Sequence, residues 1–179
     1  LLVAKQKIYF DMIEDVIASK KIQDANLQPL AQAMQNAQQE TFILLKEPVN
    51  RFLESEHFTE DLKMMQGKLG IGSDQTNTLH WLTAVGSIGY GAFVKFTVSD
   101  FSAENVLFYS KTRAFESYLI KEDYVGYKKA IGLSLKKKGL IGEFIDPSSA
   151  KYNVNLGFRY RAKVIKAYEK AAKEFAKAT

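Results

Sequence analysis

The sequence of 179 residues contains no cysteine, only three prolines and only two histidines. Without cysteine the chain cannot form disulfides, use a thiolate nucleophile or build a Cys-ligated zinc or iron–sulfur site. This composition fits a reducing compartment. His57 and His80 each adjoin an aromatic residue, and we interpret both as structural or surface residues. We therefore expect no metal and no cofactor.

Long apolar runs and catalytic motifs are missing as well. No run reaches the roughly 18 apolar residues of a membrane span, and the first residues lack the apolar core of a signal peptide. There is no Gly-x-Ser-x-Gly elbow and no His-Glu-x-x-His pair. Residues 67–73 contain glycines without the Walker spacing, which favours a loop over a phosphate cradle. We expect a cytoplasmic protein that has no active site of its own.

Charge is unevenly distributed along the chain. Residues 1–76 hold eight Lys and Arg against eleven Asp and Glu, a net charge of −3, whereas residues 77–179 carry a net charge of +8. Three glycines fall within residues 67–72, close to this change. We interpret 1–66 as an acidic helical segment, 67–76 as a Gly-rich linker and 77–179 as a core segment.

Apolar residues recur every three or four positions along most of the chain, which is typical of amphipathic helices. Strand-like alternation is confined to 93–98, and glycines at 86, 89 and 91 interrupt a short helix predicted at 79–85. The sequence predicts an all-α bundle of about eight or nine helices. The main predicted helices cover 5–20, Leu30 to a break at Pro48, a start at Thr59–Asp61, a start at Ser102, 124–145, and Arg159 to the end.

Lysines crowd the predicted helix at 124–145 and form a basic face made of Lys128, Lys129, Lys136, Lys137 and Lys138. Such a face attracts anionic lipid, because each lysine near an anionic membrane contributes about 1 kcal/mol. Aromatic residues are not interleaved with these lysines as they are in nucleic-acid platforms, so no nucleic-acid partner is expected. An ordinary solvated helix face is the alternative, and the simpler one.

The most specific signal lies in residues 89–108, which read GYGAFVKFTVSDFSAENVLF. The aromatic spacing followed by Ser-Asp-Phe-Ser-x-Glu-Asn resembles the box of the regulator of G-protein signalling (RGS) family. A second run is similar to a later part of the same box: it begins with Glu-Phe-Ile at 143–145 and continues with Val-Asn-Leu at 154–156. Arg161 then stands where the family usually has a Thr-Arg pair.

The order of the RGS-like pieces is unusual. Residues 27–55 carry Leu-x-Pro, Ala-Gln and Arg-Phe-Leu-x-Ser, and they are similar to the late helices of the family although they precede the early ones. Three arrangements fit this order: a circularly permuted box, a segment cut across two tandem boxes, and an unrelated helical extension at 1–66. The resemblance implies an RGS-like bundle with two subdomains, and a domain-swapped dimer is another way to complete the box.

RGS domains speed GTP hydrolysis by G-protein α subunits (Gα) without donating a catalytic residue, and the resemblance implies the same function here. Gα already carries its own Arg and Gln, so holding its mobile switch segments raises the fraction of competent enzyme. We expect a cytoplasmic activator at the periphery of the plasma membrane. The residues that match Gα-contacting positions of the family are Phe101, Ser102, Glu104, Asn105, Asn155, Arg161, Leu44, Glu47 and Arg51.

The resemblance gives these positions roles. Glu104 and Asn105 would hydrogen-bond to the switch segments, Asn155 would reach the region beside the catalytic Gln, and Arg161 would orient the loop of Asn155. A turn residue at Asn155 and a favourable first-turn charge at Glu104 are the alternatives. Gly157 replaces an acidic residue of the family, and Tyr160 replaces the Thr before Arg161. The alternative function is therefore a non-activating RGS-like scaffold or a membrane- or partner-binding helical module.

Overall fold

Helices dominate the computed structural model, which describes residues 27–71, 75–100, 102–121, 123–132, 139–148 and 150–178. Within these ranges there is no strand, so the predicted all-α class is confirmed. The helix predicted at 5–20 lies outside the described residues. The elements are α1 Leu27–Leu44, α2 Lys46–Glu54, α3 Glu60–Lys68, α4 Gln75–Thr83, α5 Ile88–Ser99, α6 Ala103–Ile120, α7 Tyr124–Ile131, a π-helical turn Ile141–Ile145, and α8 Phe158–Ala178.

Helix α6 lies between two clusters of buried apolar side chains. Val106 and Tyr109 of α6 belong to one cluster, with side chains of α2 to α5, while Phe108 and Leu119 belong to the other, with side chains of α1, α7 and α8. Residues on different sides of one helix thus serve different clusters, because an α-helix turns 100° per residue. The most extensive helix pairs are α1 with α8 and α1 with α6.

The helix break predicted from Pro48 is confirmed, and it lies at Leu45, three residues before the proline. α1 ends at Leu44, α2 begins at Lys46, and buried Leu45 lies between them. Pro48 has no backbone N–H, so it cannot donate to the carbonyl of Leu44 as a continuous helix would require. In the first turn of α2 that missing donor has no cost, since first-turn N–H groups have no partner within their own helix.

The single helix predicted over 124–145 is wrong. α7 ends at Ile131, and Gly132 follows in the left-handed conformation with φ of 98°. Its N–H donates to the carbonyls of Lys128 and Lys129, which is a common way for a helix to end at glycine. Gly139 also has a positive φ and lies so close to Gly132 that a Cβ atom would come within 2.9 Å of its backbone.

The strand-like alternation at 93–98 is also wrong, because these residues lie inside α5. The predicted glycine interruption is correct at Gly86, which has a φ of 88° between α4 and α5, and wrong at Gly89 and Gly91, which lie inside α5. The hydroxyl of Ser87 accepts the N–H of Tyr90 at 2.9 Å and begins this helix. Gly89 is buried against Trp81, and a Cβ atom there would come within 2.6 Å of the indole ring. The glycine therefore allows two helices to approach closely. The predicted linker at 67–76 overlaps the end of α3 and the start of α4.

Candidate functional site

An ion pair joins α2 to the turn between α5 and α6. Arg51 donates from Nε to Oδ1 of Asp100 at 3.0 Å and from Nη2 to Oδ2 of the same carboxylate. Its Nη1 atom donates to Glu47 Oε1 at 2.9 Å, one helical turn earlier. The hydrogen bonds from Arg51 hold the pKa of Asp100 below its usual value, against the opposing effect of partial burial. A two-pronged pairing of this kind fixes direction as well as distance.

Ser102 is the residue from which α6 starts, as predicted, but its hydroxyl is used differently. The hydroxyl donates to Oδ2 of Asp100 at 3.0 Å and makes no capping bond to the backbone of α6. The backbone N–H of Ser102 donates to the carbonyl of Thr97, which closes the turn between the helices. Glu104 follows, half-buried, in the first turn of α6.

A short loop presents Asn155 to solvent. Val154 and Leu156 on either side are buried, so the intervening side chain of Asn155 is exposed. The backbone N–H of Asn155 donates to Oδ1 of Asn105 at 3.1 Å. The N–H of Val154 donates to the carbonyl of Phe144, and the N–H of Leu156 donates to the carbonyl of Val154. The loop backbone is thus fixed at three consecutive residues.

Arg161 on α8 holds the same loop from the other side. Its Nη1 atom donates to the carbonyl of Ile145 and its Nη2 atom to the carbonyl of Val154, each at 2.6 Å. The two nitrogens of one planar guanidinium thereby join the π-helical turn to the loop. Partial burial lowers the pKa of Arg161 from its ordinary value, although an arginine this basic keeps its charge.

The start of α6 connects these two groups of residues. The N–H of Asn105 donates to the carbonyl of Ser102 at 3.3 Å, so the first turn of α6 connects them. Leu44 is half-buried at the end of α1, whereas its neighbour Ile43 is 58% exposed. Phe101 lies outside the described residues. Hydrogen bonds bring together the predicted residues Glu47, Arg51, Ser102, Asn105, Asn155 and Arg161, through Asp100 and the backbone of Val154. Glu104 is placed beside Asn105 by the sequence.

The structure changes the role of one predicted residue and adds two others. Asn105 is only 6% exposed and its side-chain oxygen is already engaged, so it supports the loop of Asn155. Asp100 was missed as a site residue, although it lies within the quoted motif. Phe158 was missed too: it is 84% exposed at the start of α8. Phe158 falls outside the apolar positions of that helix, and this placement could have indicated an exposed aromatic residue.

The basic face predicted from the lysines of 128–138 is described only in part. The Nζ atom of Lys128 lies 5.6 Å from the centre of the Phe175 ring, a cation–π contact between α7 and α8. Lys129 is exposed, and Lys136, Lys137 and Lys138 lie outside the described residues.

No protein-family model matches the chain, and no curated protein or solved structure matches it either. Among the helices described above, none combines the length and apolar character needed to cross a bilayer. In the same part of the chain, no three His, Asp or Glu side chains are grouped to hold a metal ion. The candidate site is therefore defined by geometry alone, in α2, at the start of α6 and in the loop of Asn155.

Proposed function

We propose that this chain is an RGS-like domain that binds the switch regions of a heterotrimeric G-protein α subunit and speeds its GTP hydrolysis. One observation carries the proposal: the hydrogen bond from the backbone of Asn155 to Asn105, which links two runs 50 residues apart in sequence. The same two runs resemble the RGS box in sequence. Their meeting in space is what a shared binding surface requires.

The out-of-order segment supports the proposal independently. Arg51 belongs to residues 27–55, which are similar to late RGS helices, and it pairs with Asp100 of the early-helix run. Within the proposal this favours a box completed inside one chain, as circular permutation would produce. The two buried clusters on either side of α6 are consistent with the two subdomains of an RGS-like bundle.

In the proposed mechanism the domain supplies a rigid surface and no reacting group. Gα contributes its own Arg and Gln, and its mobile switch segments limit how often these are correctly arranged. The exposed amide of Asn155 can both donate and accept hydrogen bonds. Because its loop is fixed by Asn105 and Arg161, little conformational freedom is lost on binding. Exposed Phe158 adds the aromatic surface common at protein interfaces.

Binding without activation is the second candidate function, and Gly157 is the observation that favours it. This position lacks the acidic side chain that the family usually carries there. A Cβ atom at Gly157 would meet only ordinary contacts, at 3.6 Å from Tyr160 and 4.0 Å from Glu40. The local space therefore does not demand glycine, and the missing carboxylate is a genuine change in the surface.

Single-turnover GTP hydrolysis by a panel of Gα subunits tests the proposal. We expect the chain to accelerate hydrolysis and Asn155→Ala to abolish the acceleration. The matched control is Asn153→Ala, which removes another exposed amide from the same loop and is expected to behave as wild type.

A capture experiment with Gα held by GDP and aluminium fluoride separates the two candidates. Binding to that form with unchanged hydrolysis would favour the non-activating function. If no Gα subunit is bound or accelerated, the RGS-like proposal is wrong for this chain.

A further inference from the structure

Basic residues recur along one side of α8. Their spacing of four, three, four, three and four residues places all six within about 80° of the helix circumference and along about 27 Å of its length. All six side chains are exposed. We call this surface the α8 lysine face, and it consists of Arg159, Lys163, Lys166, Lys170, Lys173 and Lys177.

The opposite side of α8 is already used by the fold. Val164 and Ala171 are buried in the cluster shared with α1 and α6, and Tyr168 packs against it. The apolar side of this helix is therefore unavailable for insertion into a membrane or a partner groove. A partner of the α8 lysine face therefore contacts positively charged side chains, and the interaction is electrostatic.

Among the described residues, most of the cations on this face have no ion-pair partner. α8 carries seven basic and two acidic residues, a net charge of +5, which equals the net charge of the whole chain. Lys177 pairs with Glu174 at 3.0 Å. In the described ranges no carboxylate forms an ion pair with Lys163, Lys166 or Lys170.

A groove runs beside the middle of the face. It lies between α1 and α8, encloses about 390 Å³ and is bordered by Lys163, Lys166 and Lys170. The α1 side contributes Pro29, Ala33 and the amides of Gln32 and Asn36, and it has no acidic group. Gln32 Nε2 already donates to Gln35 and Asn36. The three lysine ammonium groups at its edge are donors suited to phosphate oxygens, and most of the groove lining between the helices is apolar.

We propose that the α8 lysine face docks the domain on a membrane surface rich in anionic phospholipid. A straight row of cations about 27 Å long matches a flat array of phosphates and is longer than one small anion requires. The face contains no aromatic residue on which nucleic-acid bases would stack. Docking is by adsorption without insertion, because the apolar side of α8 is buried.

This inference does not depend on the proposed Gα contact, and it uses different residues from the lysines at 128–138. Each lysine close to an anionic surface changes the partition coefficient by about fivefold. Neutralising three of them should weaken binding by about a hundredfold. Because the contact is electrostatic, binding should also fall steeply between about 0.1 M and 1 M salt.

Sedimentation with vesicles of phosphatidylcholine, with and without phosphatidylserine, tests the inference on the whole chain. The test variant is K163Q/K166Q/K170Q. The control is K68Q/K95Q/K121Q, which lowers the net charge equally at exposed lysines outside α8. Both variants are first checked for wild-type thermal unfolding, since all six side chains are exposed.

Wild type and control should bind phosphatidylserine vesicles similarly, and the test variant should lose binding. Equal loss in both variants would mean that net charge alone matters and would overturn the inference. It would likewise be overturned by equal binding to vesicles of phosphatidylcholine alone, or by tighter binding to single-stranded RNA that the test variant also loses.

Discussion

Gln38 on α1 donates from Nε2 to the hydroxyl of Thr112 on α6 at 3.2 Å, and Glu116, one turn further along α6, is buried where these helices pack together. Burial raises the pKa of Glu116 from 4.5 to about 7, although Gln38 and the charge of Arg113 lower it in part. Burial, together with the charge of Glu116, also raises the pKa of Tyr127 on α7. A carboxyl group in this position favours its protonated form in the folded state.

This carboxyl group predicts an unusual dependence of stability on pH. Its folded-state pKa exceeds its unfolded value, so the folded state binds more protons and stability falls as pH rises from about 4.5 to about 7. Glu116→Gln should remove that slope. Above neutral pH, the free energy of unfolding of this variant should exceed that of wild type by about 2–3 kcal/mol. Urea unfolding at several pH values measures this.

The control for this measurement is Glu169→Gln, which neutralises an exposed carboxylate on α8 and should keep the wild-type slope. Parallel slopes for wild type and Glu116→Gln would mean that Glu116 is ionised in the folded protein at acidic pH.

Asn105 should act on function through Asn155. Asn105→Ala removes the acceptor of the Asn155 N–H and should cost about 1–2 kcal/mol of unfolding free energy. Acceleration of Gα hydrolysis should fall with it, because the loop is released. Asn105→Asp keeps an acceptor oxygen in the first turn of α6, where negative charge is favourable.

The Asp variant should therefore restore most of the acceleration. Chemical unfolding and single-turnover hydrolysis provide the two readouts. Full acceleration by a folded Asn105→Ala protein would show that the hydrogen bond does not position Asn155.

The ion pair between Arg51 and Asp100 should contribute little free energy to stability, although it fixes the orientation of α2 relative to the start of α6. A double-mutant cycle with Arg51→Ala and Asp100→Ala should give a coupling of about 0.5–1 kcal/mol, since Arg51 is exposed and screened by solvent. The depressed pKa of Asp100 adds stability above its unfolded pKa, and this contribution is lost as pH falls through the folded pKa.

Unfolding measured at low and high salt checks this coupling, which should shrink as salt is added. The pair Lys63 and Glu60 on α3, one turn apart, serves as a comparison within a single helix. A coupling near zero at low salt would contradict the prediction.

Alanine substitutions at Gly89 and Gly91, both in α5, should have opposite effects on stability. Gly89→Ala should destabilise the fold by about 1–3 kcal/mol, because the new methyl group would overlap the ring of Trp81. Gly91→Ala meets open space in α5 and should stabilise it by up to about 1 kcal/mol. Thermal unfolding followed by the fluorescence of Trp81, the single tryptophan, measures both. Equal effects of the two variants would contradict the close approach at Gly89.

Local signals explain which parts of the fold could be predicted. The helix start at Thr59 and the break at Pro48 depend on backbone chemistry that a few neighbouring residues determine. The end of α7 could not be read in this way, because a glycine inside an apolar pattern does not reveal the left-handed conformation of Gly132. The helix α5 was not predicted for a different reason. Phe93 is buried while Val98 is 63% exposed, so apolar residues occupy several sides of α5 and obscure the helical period.

The candidate site was less predictable from the residues themselves. The partners Arg51 and Asp100 are 49 residues apart, and no local pattern links them. The resemblance singled out Arg51, Asn105 and Asn155, but it assigned Asn105 to the surface. Its burial depends on how the loop of Asn155 folds over α6. That is a tertiary property, which side-chain spacing does not encode.

Arg161 gives α8 a geometric consequence. Its guanidinium clamps the carbonyl of Val154 while its own backbone belongs to the helix that carries Lys163 and Lys166. The loop of Asn155 and the row of cations are therefore both attached to α8. A domain lying on a bilayer along α8 would hold the amide of Asn155 at a set height and tilt above the headgroups, which restricts the angle from which any partner reaches it.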